Sequence, residues 1–198
     1  MTRTQEVEGG VLLRPFESLA TNFLSSRYYN GRRIIDLLED SASAEHWMAT
    51  VHAHLDGPDP FSPTAKQLSR LRTDRAHIET LYEKRVTQTL TESDVVAFND
   101  TLATLPLAAR LRVARISDID IFSVRTTDES YESNTVASLS IATIDTVTGP
   151  RSRLLRRCHA PRCVLYFTQF DSRQHWCSNV CGNRARVARA AVTHRGES

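Results

Sequence analysis

From Cys158 the chain reads Cys158-His-Ala-Pro-Arg-Cys163, then Val164-Leu-Tyr-Phe-Thr168, then a polar connection over Gln169 to Arg173. It continues Gln174-His-Trp-Cys-Ser-Asn-Val-Cys-Gly-Asn-Arg184. All four cysteines of the protein lie in this stretch, in the pattern C-x4-C-x13-C-x3-C. Two close pairs let two short loops each offer two sulfurs to one ion, and four thiolates suit a closed, tetrahedral zinc site. Two disulfides are the competing reading, which a reducing compartment disfavours. His159 and His175 flank ligand cysteines, but with four thiols present they read as bystanders or as hydrogen-bond donors to the ligands. The expectation is one structural Zn2+ per chain at Cys158, Cys163, Cys177 and Cys181. Four thiolates leave no open coordination position, so a catalytic zinc is not expected.

The local signals around the cysteines set an order of elements. Pro161 fixes a turn between Cys158 and Cys163. Val164 to Thr168 is rich in strand formers, and Gln174 to Trp176 is read as a short returning strand. Ser178 is a candidate N-cap for a helix from Asn179, which contains Ala185, Ala188, Ala190 and Ala191 and no proline. Knuckle, hairpin and ligand-bearing helix is the order of a treble-clef finger. At about 100° per residue, Cys181, Ala185, Ala188 and Val192 share the expected packed side. Arg186 and Arg189 fall on one flank and Arg184 and Arg195 on the other, free for phosphate or base contact. A solvated helix face is the alternative for these arginines.

Charge divides the chain at the same place. Residues 1–150 hold 15 Lys+Arg against 21 Asp+Glu, a net of −6, whereas residues 151–198 hold ten arginines and only Asp171 and Glu197, a net of +8. The whole-chain value of +2 conceals an acidic body joined to a basic segment that includes Arg151, Arg153, Arg156 and Arg157. Such a segment calls for an acidic partner, most often nucleic acid.

The tetrapeptide Cys181-Gly182-Asn183-Arg184 and the preceding Trp176, together with Arg156-Arg157-Cys158, the Cys158/Cys163 spacing and the aromatic strand after it, resemble the CGNR zinc finger family over residues 153–190. Members of that family usually carry an N-terminal ABATE domain, are common in actinobacteria and are described as stress-induced transcription regulators. The resemblance implies zinc at the four cysteines, DNA as partner and no enzyme. It carries Gly182 and Asn183 over as functional candidates, with Asn183 as a nucleic-acid contact beside the arginines Arg184, Arg186, Arg189, Arg156 and Arg157. Gly182 is carried over as a point of close backbone approach. A purely structural role for Gly182 and Asn183 stands beside that reading.

Residues 1–150 form the other expected domain, with 151–198 as the finger. Phe16 to Tyr29 reads as a helix with an apolar stripe through Phe16, Leu19, Ala20, Phe23 and Leu24, and Asn30-Gly31 as a turn. Ser43 is a candidate cap for a helix through Trp47, Val51 and Leu55, before a loop over Gly57 to Pro60 and Pro63. Thr64-x-x-Gln67 is a capping box opening a long helix with Leu68, Leu71, Ile78, Leu81, Tyr82 and Val86. Thr91-x-x-Asp94 opens another with Val95, Phe98, Leu102 and Leu105, stopped by Pro106. Residues 111–116 and 119–125 read as a β-hairpin pairing with a strand near Val11 to Leu13. Residues 134–148 read as a helix with Val136, Leu139, Ala142 and Thr143 inside, ended by Gly149-Pro150. The fold class is therefore α+β: a mostly helical N-terminal domain with a small antiparallel sheet, then a treble-clef-like four-cysteine finger. Gly31-Arg32 and Asp36-Leu37-Leu38 resemble the ABATE pattern, whereas Thr21-Asn22-Phe23-Leu24 departs from its acidic and Asn-Thr positions.

Several classes are excluded or disfavoured. With 40% hydrophobic and 24% charged residues the chain has material for a core and no apolar run of membrane-spanning length. Met1 to Gly10 is polar and acidic, without the apolar core of a secretory signal, so a cytoplasmic protein is expected. No Gly-rich phosphate loop, serine elbow or HExxH motif is present. His46, His52 and His54 are not spaced to converge on one ion on a helix. Arg72 and Arg75 are read as snorkelling or ion-paired rather than as anchors for an acidic ligand. The acids Asp118, Asp120, Asp128, Glu129 and Glu132 are read as solvated loop groups. The expected function is a zinc-containing, DNA-binding transcription regulator whose acidic domain senses a small-molecule or protein signal or mediates assembly, with a homodimer as default. The alternatives are a zinc-stabilised protein-interaction module with Trp176, Tyr166 and Phe167 as exposed anchors, and an RNA-binding protein. Metal removal is expected to unfold residues 151–198 and leave 1–150 folded.

Overall fold

The computed structural model describes residues 6–55, 57–102, 107–115, 118–126 and 130–196. Two short hairpins open the chain. Strands β1 (Glu6–Glu8) and β2 (Val11–Leu13) pair across Gly9-Gly10, both with positive φ. Helix α1 (Leu19–Leu24) follows, capped by the Ser18 hydroxyl, which accepts from the Thr21 N–H. Strands β3 (Arg27–Tyr29) and β4 (Ile34–Asp36) then pair antiparallel. Asn30 Oδ1 accepts from the N–H groups of Arg32 and Arg33, and Gly31 takes φ +100°. The helix read over Phe16 to Tyr29 is therefore a six-residue helix and a strand. Ser25 and Ser26 intervene, and Tyr28 and Tyr29 find a ladder partner in Ile35 and Ile34.

Three helices supply most of the body. Helix α2 spans Ser41–Leu55. Its cap is Asp40, whose carboxylate accepts from the Ser43 N–H and hydroxyl, not Ser43 itself. Helix α3 (Ala65–Thr87) has the full Thr64/Gln67 capping box and buries Leu68, Leu71, Ile78, Leu81 and Tyr82. Helix α4 (Glu92–Leu102) starts where Asp94 accepts from the Thr91 N–H. It buries Phe98 but leaves Val95 exposed, so its inward face is narrower than the apolar spacing predicts. Strands β5 (Leu107–Arg115) and β6 (Asp118–Thr126) form a long antiparallel hairpin, as expected. It does not pair with β2, whose partner is β1. Leu105, Pro106, Ile116, Asp128 and Glu129, named above, lie outside the described residues.

Helix α5 (Tyr131–Thr148), capped by Ser130, packs against α1 and α3. Val136, Leu139 and Thr143 are buried on it. Gly149 ends it in extended conformation, φ −68°, not in the left-handed region. Glycine is needed there for closeness: a Cβ would stand 2.4 Å from the Asp145 carbonyl oxygen.

After a 3-10 turn (Ser152–Leu154), strands β7 (Leu155–Arg157) and β8 (Tyr166–Thr168) pair antiparallel, and the chain ends in helix α6 (Asn179–Gly196). The partner of β8 is thus the segment before Cys158. Gln174 to Trp176, read as a returning strand, is irregular and joins no ladder, because the strand partner of β8 is β7. The protein is α+β, largely helical with small antiparallel sheets.

One buried core runs through both regions, from Val11, Phe23, Trp47, Leu71 and Tyr82 to Leu155, Tyr166, Phe167 and Ala185. Tyr166 and Phe167, read as exposed anchors, are 2% and 1% exposed. Tyr166 meets Tyr82 edge-to-face at 5.5 Å and donates its hydroxyl proton to Glu83. Burial pushes the Tyr166 phenol well above its ordinary range, and the Glu83 contact acts in the same direction. The outer edge of β8 meets the buried pair Arg14 and Glu17, 3.3 Å apart. Arg14 donates to the Tyr166 carbonyl, and Glu17 accepts from the Thr168 N–H at 3.0 Å and its hydroxyl at 2.8 Å. This ion pair occupies the place a third strand would take, and satisfies an edge that would otherwise be buried unpaired.

Candidate metal centre

The two cysteine pairs are set by separate local devices. At the tip of the β7–β8 hairpin the Cys163 N–H bonds the Ala160 carbonyl, and Arg162 takes φ +62° to close the knuckle. At the start of α6 the Ser178 hydroxyl accepts from the Cys181 N–H, the predicted cap, which fixes the turn between Cys177 and Cys181. The four sulfurs lie within 4.8 Å of one another, and none is in a disulfide. Three Sγ–Sγ separations are 3.4, 3.7 and 3.8 Å, from Cys177 to Cys181, Cys181 to Cys163 and Cys163 to Cys177. A tetrahedron of sulfurs about 2.3 Å from zinc has edges of about 3.8 Å. Donor chemistry and spacing both fit, and the four cysteines constitute the site of one structural Zn2+. A dication favours the thiolate at all four positions.

The ligands receive further hydrogen bonds. The Cys177 N–H points at Cys158 Sγ at 3.5 Å, and Arg184 Nη2 donates to Cys181 Sγ at 3.1 Å. Arg184 also lies over the Tyr29 ring at 4.8 Å, with Arg162 beside it at 5.8 Å. The arginine of the Cys-Gly-Asn-Arg string therefore links a zinc ligand to the body, and is not free as the helical wheel predicts. Gly182 is explained by packing, since a Cβ there would stand 3.1 Å from Trp176 Cδ1. Asn183 is exposed and its Oδ1 accepts from Arg186.

The remaining predicted contacts separate by side. Arg156 donates to the carbonyls of Arg153 and Leu155, and Arg157 pairs with Glu83 at 2.9 Å. Arg186 and Arg189 are exposed on the other flank of α6. Val192, placed on the packed side, is 67% exposed, because the helix has run past the body by then. Arg14, Glu17, Tyr29 and Glu83, which meet the finger from the body, carry no local sequence signal. The two glutamates are indistinguishable from surface acids until β8 is placed against them.

The other candidate clusters resolve into structure. Arg75 forms a two-pronged pair with Asp36 at 2.6 and 2.7 Å and also bonds Ser26, while Arg72 donates to the carbonyls of Leu38 and Glu39. His46, His52 and His54 bond Gly9, Gly57 and Glu8 separately. Among the described residues no further His, Cys, Asp or Glu group is spaced to hold a metal. Asn22, at the departure from the ABATE pattern, is buried and bonds the backbone of Arg14, Glu17 and Ser18. No helix among the described residues is long and apolar enough to cross a membrane.

Comparison with known proteins gives two matches. A family model for ABATE, described as "putative stress-induced transcription regulator", matches residues 17–150. A second, for the CGNR zinc finger, matches residues 154–192. No curated protein matches the chain.

Proposed function

Because the chain belongs to the ABATE family of regulators and ends in a CGNR zinc finger, we propose that it is a zinc-dependent, DNA-binding transcription regulator of the cytoplasm. The observation that carries this reading is the segregation of charge, +8 over residues 151–198 against −6 over 1–150. A segment of that sign and density attracts a polyanion through counterion release. It works by binding rather than catalysis, since four thiolates leave zinc no open position for a substrate. The acidic body holds the finger, and in this reading senses a small-molecule or protein signal or mediates assembly, with a homodimer as the default state.

A protein-interaction role is less well supported, because two of its three aromatic anchors, Tyr166 and Phe167, are in the core. Selection from a pool of random duplex DNA by the zinc-loaded full-length protein, at two salt concentrations, tests the reading. An enriched motif with a steep salt slope is the expected result. No retention of duplex DNA at either salt contradicts it, and preferential retention of RNA turns it into the RNA-binding alternative.

A further inference from the structure

The arginines of the basic segment divide between two faces. Arg157, Arg162 and Arg184 point at the body, on Glu83 and Tyr29. On the opposite flank of α6, a groove of about 870 Å3 runs between the helix and the loop from Phe170 to Trp176. Gly182, Arg186 and Arg189 line its helical wall, spaced i, i+4 and i+7, and Arg173 and His175 line the loop wall. Its one acid is Asp171, paired with Arg173 at 3.1 Å. Both partners of that pair are well exposed, so it is weak and open to exchange for a phosphate. Trp176 and Cys177 stand at the base. One wall ends on Cys177 and the other carries Cys181, so the zinc site sets the spacing of the two walls.

We propose that this groove is where DNA docks, with Arg173, Arg186 and Arg189 gripping the phosphate backbone, and that Arg157 and Arg184 are positioning residues that hold the finger on the body. The inference rests on the DNA-binding reading above and narrows it to one surface. Charge complementarity carries it: the groove gathers three arginines around a single acid, and no residue of the acidic body lines it. Arg156 does not line the groove and has no part in the grip.

The test is fluorescence anisotropy of the full-length, zinc-loaded protein on duplex DNA across a salt series. The variant Arg173→Ala/Arg186→Ala/Arg189→Ala is compared with Arg32→Ala/Arg33→Ala/Lys66→Ala, which removes three exposed charges from the body. All six side chains are exposed, and zinc content and circular dichroism check that each variant folds. The groove variant is expected to bind about tenfold more weakly or worse, and to lose about 2 to 3 from the slope of log K against log salt. The body variant is expected to keep the wild-type slope. A groove variant with wild-type affinity and slope overturns the assignment of the groove while leaving DNA binding intact. Failure of the wild type to bind duplex DNA, or its displacement by RNA in preference to DNA, overturns the DNA-binding reading and the groove with it.

Discussion

The body and the finger solve the same problem by different means. The body buries large side chains: Phe23 against Trp47 at 5.4 Å, with Leu71, Leu139 and Tyr82 nearly or wholly out of solvent. Residues 151–196 bury few such groups, and the sulfurs of Cys158, Cys177 and Cys181 stand among them. A segment this short cannot supply much apolar burial alone, and metal ligation takes over. Yet the two are not independent, because Leu155, Tyr166 and Phe167 belong to the core that contains Tyr82. The finger is a metal-closed lid on an apolar body, and the body completes the apolar core of the finger. The expectation that metal removal spares residues 1–150 is revised accordingly.

The largest effect should come from breaking the metal side. Cys177→Ala, which deletes one ligand and a buried group, is expected to cost most of the roughly 10 kcal/mol that a structural zinc site contributes. It should lower the melting temperature of the whole chain, as read by circular dichroism, rather than melt α6 alone. Next comes the joint. Glu17→Ala leaves the buried Arg14 charge without its counter-ion and the Thr168 N–H without its acceptor, and is expected to destabilise by about 3 kcal/mol in chemical denaturation. Zinc content should be normal at low denaturant. Leu71→Ala opens a cavity in the body at about the same cost, 2 to 4 kcal/mol, without touching a ligand or the joint. Equal loss of zinc affinity in the Leu71 and Cys177 variants would erase the distinction between the two regions.

The pH dependence is smaller and comes from the body. Burial works to raise the Asp36 carboxyl, but the hydrogen bonds and charge of Arg75 carry it below the usual carboxylate range. A lowered folded pKa means stability that is present above the ordinary carboxylate value of about 4 and is lost as pH falls through the folded one. Asp36→Asn should therefore flatten the acid limb of a stability–pH curve. Asp74 is the opposite case. Burial raises its carboxyl, and its Oδ2 has no hydrogen bond, with Arg70 3.7 Å away. Its ionisation works against the fold, so that part of stability is lost as pH rises through the folded pKa. The smallest effect is at the groove: Arg173→Ala is expected to change stability by less than about 0.5 kcal/mol, since its ion pair is exposed.

Legibility in the sequence followed the range of the interactions. The four ligands, the Ser178 cap, the Thr64/Gln67 capping box and the Asn30-Gly31 turn are local, and each was readable from a few adjacent residues. The strand partner of β8 was not, because Val164 to Thr168 does not say whether Leu155 or Gln174 lies beside it. Nor was the orientation of the arginines. A helical wheel places Arg184 on a flank of α6 but cannot supply Tyr29, which lies 155 residues earlier and stands under its guanidinium. Glu17 and Glu83 were invisible for the same reason. They look like surface acids and become structural only once β8 and Arg157 stand against them.

Unfolding of the cobalt-substituted protein followed at two places tests the central claim, that zinc site and body form one cooperative core. In a Trp176→Phe background, thiolate-to-cobalt absorption reports the four-cysteine site and Trp47 fluorescence reports the centre of the body. The shared core predicts coincident transitions in denaturant, both shifted together by Glu17→Ala. A cobalt signal lost at low denaturant while Trp47 stays buried to a later midpoint would contradict it, and would make the finger a separate domain resting on the body.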